Sequence, residues 1–282
     1  MNKMKKVINK MKSMLNYLGE NGLADLLILI IRKISGKMSE IECIKEKIHK
    51  NIVVDSKYEV KYGLFKGVRL SVNVWWSKYD QISKILGCYE STVVKEINYI
   101  SEVKRGVFID VGAADGYYAA GVACNKVFEK VFAYDINPIS KLCIKECVEI
   151  NKCEHLVEIN SRFDLDQIKK IKNNYEIALV LVDIEGEEYD LLDDEILFEL
   201  KYSYLLIELH PWLVNDGINK ERLLIERVKK SFNYKFVCRD HYECNIYEEL
   251  SQYSDDERLI ALSENREKNM RWLVLYPRDI KV

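Results

Sequence analysis

Apolar residues in the middle of this chain fall in short unbroken runs, and each run stops at an acid or a glycine. The pattern predicts strands near 107–111, 130–135, 155–160, 177–183 and 203–209. Helical periodicity, as in Ile139–Ile150, fills the spaces between them. Near-continuous hydrophobicity without period-two alternation, clearest in Ile177–Val182, is what a parallel strand covered on both faces requires. The βαβ rhythm predicts an α/β fold with a doubly wound, mostly parallel seven-stranded sheet. Asn219–Phe232 reads as an amphipathic helix, and Tyr234–Arg239 with Arg271–Tyr276 as closing strands. Between these strands lies a charged insertion, Asp240–Met270, in which Ser254 caps a helix expected to run to Asn269. Upstream, residues 52–71 read as two short strands about Tyr62 and Gly63. The expected division is a helical segment 1–50, a β-hairpin and linker 51–88, and a main domain 89–282.

The strand ends carry the candidate chemistry. Gly106–Tyr118 reads GVFIDVGAADGYY, a buried strand that enters a glycine-bearing turn and then a helix. Gly112 and Gly116 permit a tight turn close to a ligand, and the first amides of the following helix point N–H groups into the same space. A dinucleotide fingerprint would need a third glycine where Ala114 stands, and Asp115 puts negative charge where a pyrophosphate would lie. S-adenosylmethionine fits better. Asp110, Asp115, Asp135 and Asp183 offer its sulfonium and ammonium a favourable field, while helix amides take its carboxylate.

Asp135 ends the second strand, where it either takes both hydroxyls of an adenosine ribose or caps the next helix; Asn137 and Pro138 already supply a cap and first turn. Asp183, followed by Glu185 and Gly186, should emerge at the carboxyl edge of the central strand. Glu208 and His210 share one side of the strand that Pro211 ends. Glu208 is a ligand contact or a buried, paired carboxylate. His210 is a candidate base for a hydroxyl proton, oriented by Glu208 or Asp183, or else a structural histidine. A divalent ion on Asp183 and Glu208 would serve the same end, but nothing in the spacing demands one, and no metal ligands are assigned.

Five blocks in order, Gly87-Cys88-Tyr89-Glu90, FIDVGAADGYY, FAYDINP, LVDIEGEEYDLL and IELHP, resemble the FkbM-type family of class I S-adenosylmethionine-dependent methyltransferases over roughly residues 60–212. The D-x-E-G block is the most specific, whereas AAD departs from the asparagine-containing turn more usual in the family. The resemblance implies O-methylation of a hydroxyl on a sugar, glycan or other polar metabolite. It also implies a sheet closed by a pair of strands, one antiparallel. Residue reading and blocks together make Glu90, Asp110, Gly112, Ala113, Ala114, Asp115, Gly116, Tyr117, Asp135, Ile136, Asp183 and Glu185 the expected cofactor contacts. Two other classes share parts of the pattern. One is an NAD(P)-dependent oxidoreductase, disfavoured by Ala114 and Asp115; the other is a non-catalytic methyltransferase-like binding module.

Composition narrows the partners. The 282 residues are 48% hydrophobic, enough for one substantial core plus an accessory segment, and carry a net charge of −2. That balance supplies no clustered basic surface for nucleic acid. None of the eight cysteines forms a C-x-x-C pair or stands at zinc spacing with histidine, which suits reduced thiols and a cytoplasmic location. Lys3, Lys5, Lys6, Lys10 and Lys12 precede any acid, and Leu23–Ile31 is apolar apart from Asp25 but too short to span a bilayer. This N-terminal helix would lie on an anionic inner-membrane surface, or pack its apolar stripe on the main domain or on a second subunit of a homo-oligomer.

Overall fold

In the computed structural model the described residues are 39–74, 76–240, 243–264, 266 and 268–278. The chain divides into two units, residues 1–47 and 48–282. Of the first only 39–47 are described, so the lysine-rich segment and Leu23–Ile31 lie outside the described residues. Helix α1 is Glu40–His49. Among the described residues no helix is long and apolar enough to cross a membrane.

A seven-stranded sheet organises the second unit. Its strands are β1 (Val107–Val111), β2 (Val131–Tyr134), β3 (Val157–Asn160), β4 (Ile177–Val182), β5 (Tyr204–Glu208), β6 (Phe232–Cys238) and β7 (Arg271–Pro277). Their order is β3-β2-β1-β4-β5-β7-β6, a Rossmann-like arrangement in which β1 to β5 run parallel. Only β7 is antiparallel to its neighbours, β5 and β6, which is the closing pair the resemblance implies. Every residue of β1, β2, β4 and β5 is buried, so the unbroken apolar runs reflect burial on both faces.

The connecting helices are α2 (Asp80–Ile85), α3 (Ser91–Val103), α4 (Tyr117–Cys124), α5 (Pro138–Ile150), α6 (Leu165–Lys172), α7 (Glu188–Leu191), α8 (Asp194–Glu199), α9 (Gly217–Val228) and α10 (Asp255–Leu262). Asn137 caps α5 through Ile139 N–H at 2.8 Å with Pro138 in the first turn, as its sequence predicts. Ser254 caps α10 in a full capping box with Glu257. That helix stops at Leu262, not Asn269, because Ser263 turns to an extended conformation and the chain leaves to deliver Glu264 and Arg266 inward.

The expected hairpin over 52–71 is also shorter than predicted. Lys50–Val54 forms a π-helical turn that buries Ile52 and Val53. Pairing is confined to a single bridge between Glu59 and Arg69, flanked by hydrogen bonds from Val60 N to Val68 O and from Leu70 N to Tyr58 O, both 2.8 Å. The apolar run at 52–54 serves a helical turn because Tyr58, not Ile52, begins the paired segment.

Candidate functional site

The strand order reverses between β1 and β4, and at the carboxyl ends of these strands and of β2 lies a cleft of about 940 Å³. Open α/β sheets bind ligands at this position. Its lining includes Gly112, Ala114, Asp115, Asp135, Ile136, Asp183 and Glu185, seven of the expected cofactor contacts, with Trp76, Tyr89, Tyr134 and Phe163 as aromatic walls.

The loop after β1 is locked by its own backbone. Gly112 N and Ala113 N both donate to Tyr134 O, at 2.9 and 3.1 Å, and Asp183 N donates to Val111 O at 2.9 Å. Gly112 has φ +92°, and a Cβ there would stand 1.7 Å from Asp183 O, so no side chain fits between the β1 and β4 loops. Gly112→Val would therefore break the junction of two strands as well as fill space beside the cleft. Ala114 also lies in the left-handed region at φ 48°, and its N–H donates to Asp135 Oδ2 at 3.0 Å. Asp135 Oδ1 accepts from Asn137 N at 2.8 Å. Two carboxylate oxygens offer about four lone-pair sites, so Asp135 keeps acceptor capacity for a diol. Beside it Ile136 is 84% exposed, an apolar lip over the cleft.

Five expected contacts stand elsewhere. Asp110 is 1% exposed and its two carboxyl oxygens have no partner; burial first, then Asp183 and Asp135, raise its carboxyl well above the usual range. It is buried in β1 and absent from the cleft lining, although the acids that act on it, Asp183 and Asp135, line that cleft. The Tyr117 ring packs edge-on against Phe65, Tyr89 and Tyr118. Ala113 is buried, and Gly116 caps α4 at φ 82°. Glu90 is 5% exposed, bonded to the Tyr118 hydroxyl and to Arg266, and it lines a neighbouring cavity of about 340 Å³.

Asp115 does not present a free charge. Lys84 Nζ lies 2.7 Å from its Oδ2, and that cation sits over the rings of Tyr89 and Tyr117 at 4.8 and 5.5 Å. Burial opposes the Lys84 charge, yet Asp115 and Asp80 raise its ammonium pKa. The lining nonetheless holds ten acidic side chains (Asp80, Asp115, Asp135, Asp164, Asp183, Glu185, Glu187, Asp190, Asp193 and Glu195) against Lys84, Arg162 and Arg266.

The D-x-E-G turn delivers the remaining chemistry. Glu185 and Gly186 take φ values of 54° and 105°, which swings the chain from β4 into α7. The Asp183 side chain is 28% exposed; burial first, then Glu90, push its carboxyl up to about 6, with His210 and Arg266 holding it back. Glu208 is fully buried, with Oε1 3.1 Å from Arg266 Nη1 and Oε2 without a hydrogen bond. Burial and then Asp183 raise the Glu208 carboxyl well above the usual carboxylate range, with Arg266 holding it back. His210 is 1% exposed and absent from the lining, which places it behind Asp183 and Glu185 instead of in the cleft. Burial opposes its charge, but Glu188 and Asp183 raise the imidazole above its ordinary value.

Two residues that serve this site escaped the sequence reading. Glu188, fully buried, accepts from Gly186 N and from His210 N, both at 2.8 Å, and so ties the β4 turn to the end of β5. Its only sequence signal is a place in a run of acids. Arg266 reaches in from the late insertion to Glu90, Glu208, Glu264 at 3.5 Å and the Tyr89 hydroxyl at 3.3 Å. It lies outside any periodic segment.

No protein-family profile and no curated protein matches the chain. Among solved structures, precorrin-8W decarboxylase of Methanobacterium thermoautotrophicum is 15% identical over 66% of this chain and 89% of its own, with a TM-score of 0.43. Precorrin-6y C5,15-methyltransferase of Geobacter metallireducens is 10% identical over 77% and 99%, with a TM-score of 0.46. M. jannaschii TYW2, solved in complex with AdoMet, is 14% identical over 74% and 79%, with a TM-score of 0.39. Likeness of this degree bears no weight for activity, and the sheet topology stands on its own strand pairings.

Proposed function

We propose that the chain is an S-adenosylmethionine-dependent methyltransferase that transfers the sulfonium methyl to a hydroxyl oxygen of a small polar acceptor, such as a sugar or glycan. The observation that carries this reading is the convergence at one cleft of the Gly112–Asp115 turn, Asp135 with free acceptor capacity, and the exposed Ile136. In this reading Asp135 takes the ribose diol and Ile136 covers the adenine face. The order of blocks shared with the FkbM-type family supports it, and the acidic lining favours a cationic cofactor while repelling phosphate-rich acceptors such as nucleic acid. A cytoplasmic enzyme touching the inner membrane surface through residues 1–38 is consistent with the lysines there.

Catalysis would rest mainly on holding the acceptor oxygen in line with methyl and sulfur, worth roughly 7–11 kcal/mol at best. Asp183, the acid that both faces the cleft and titrates near 6, takes the hydroxyl proton in this scheme. His210 is too deeply buried to touch the acceptor and acts through Asp183 as a positioning residue.

Calorimetric titration with S-adenosylhomocysteine and with NAD is the test. Saturable binding of the former alone is expected, and Asp135→Ala should weaken it at least tenfold while the far-ultraviolet circular dichroism stays unchanged. Binding of NAD instead would point to an oxidoreductase. Binding of neither would leave a non-catalytic module.

A further inference from the structure

Both ring nitrogens of His210 lack a hydrogen-bond partner although the residue is 1% exposed. Nε2 lies 3.7 Å from Asp183 Oδ1 and 3.7 Å from Glu185 Oε2, and that Asp183 oxygen is also buried and unpartnered. These separations are too long for N–H···O hydrogen bonds. An unpartnered ring nitrogen facing two carboxylates in a buried place is unfavourable unless positive charge lies among them, supplied by a ring proton or by a bound cation. On the far side of the ring, Nδ1 faces Glu188 Oε1 at 3.4 Å, and Glu188 is itself pinned by two backbone N–H groups. A fixed carboxylate behind the ring and an open nitrogen in front is how a metal-ligating histidine is oriented.

We infer that Asp183, Glu185 and His210 form a site for one divalent first-row transition ion, of the Mn²⁺ or Zn²⁺ type, whose remaining positions face the cleft. Their ligand atoms all lie within 4.8 Å of one another. Metal–ligand bonds of about 2.1 Å set neighbouring ligands about 3.0–3.4 Å apart, so closure requires the ligand atoms to draw together by shifts of at most about 1.4–1.8 Å. Glu185, with its side chain 49% exposed, is free to supply them. One imidazole and two carboxylates suit transition ions better than Mg²⁺ or Ca²⁺, which prefer all-oxygen sets. The role of the ion rests on the methyltransferase reading: it would bind the acceptor hydroxyl and lower its pKa. The proton then leaves to solvent, and the oxygen takes the methyl as the carbon–sulfur bond breaks. With the ion bound, Asp183 would serve as a ligand, and its role as base would belong to the metal-free protein only.

The test titrates chelator-treated full-length protein with Mn²⁺ alone and follows the free ion by electron paramagnetic resonance. One saturable site per chain is expected, displaced by Zn²⁺ and weakened at least tenfold in both Glu185→Gln and His210→Gln. Glu185→Gln changes a half-exposed side chain, which guards against a folding artefact, and circular dichroism checks both variants. Absence of a saturable site, or affinity unchanged in both variants, would overturn the inference. Binding of S-adenosylhomocysteine is measured separately on the metal-free protein. Protein that binds it but no Mn²⁺ loses only the metal site; protein that binds Mn²⁺ but not the nucleoside keeps the site and loses its role in methyl transfer.

Discussion

Asp110 shows how far a residue's surroundings can depart from what its place in a motif suggests. Its carboxyl is buried without a partner and is raised well above the usual range. The folded state therefore binds a proton that the unfolded chain has released above about pH 4, and stability falls as pH rises, by about 1.4 kcal/mol per unit, until the folded pKa is reached. Asparagine is neutral in both states and removes that slope. Asp110→Asn should gain stability over wild type as pH increases from 5 to 8, measured by urea denaturation at each pH. A constant difference would mean that Asp110 is not the titrating group. The motif acids were legible because an acid after an apolar run is visible in one dimension. The partners were not: Lys84 meets Asp115 across 31 positions, and Glu188 meets the His210 amide across 22. Such distances leave no periodic trace.

Elements were easier to read than residues. β1, β2, β4 and β5 fell within a residue or so of their predicted bounds, because burial on both faces leaves no polar interruption. The insertion before β7 was harder, since its job is to carry Arg266 and not to complete a period. Arg266 is the cation that joins this segment to α3 through Glu90 and to β5 through Glu208. Removing it leaves Glu90 and Glu208, each 5% exposed or less, buried without their shared counter-ion, while Glu264 keeps Arg239 at 3.8 Å. Arg266→Met should cost about 3–5 kcal/mol in urea denaturation, the range for breaking a buried ion pair by deleting one partner. Arg266→Lys should recover only part of it, because an ammonium cannot span the same set of acceptors.

At the scale of the molecule, the cleft and all its lining residues lie within residues 48–282. Removal of residues 1–38 should leave affinity for S-adenosylhomocysteine within a few-fold by calorimetry. Co-sedimentation with anionic vesicles, compared before and after truncation at low and physiological salt, tests membrane contact: equal pelleting of both forms would remove it.

The excess of acids around the cleft also bears on how fast ligands arrive and leave. Methyl transfer turns a sulfonium into a neutral thioether, so the field that draws the donor in has one charge fewer to act on once the reaction is done. Encounter is accelerated on the way in, while escape of the spent molecule is opposed less. In stopped-flow measurements the association rate of S-adenosylmethionine should fall more steeply with added salt than that of S-adenosylhomocysteine. Equal slopes would mean that the ring of carboxylates shapes the cleft without steering traffic through it.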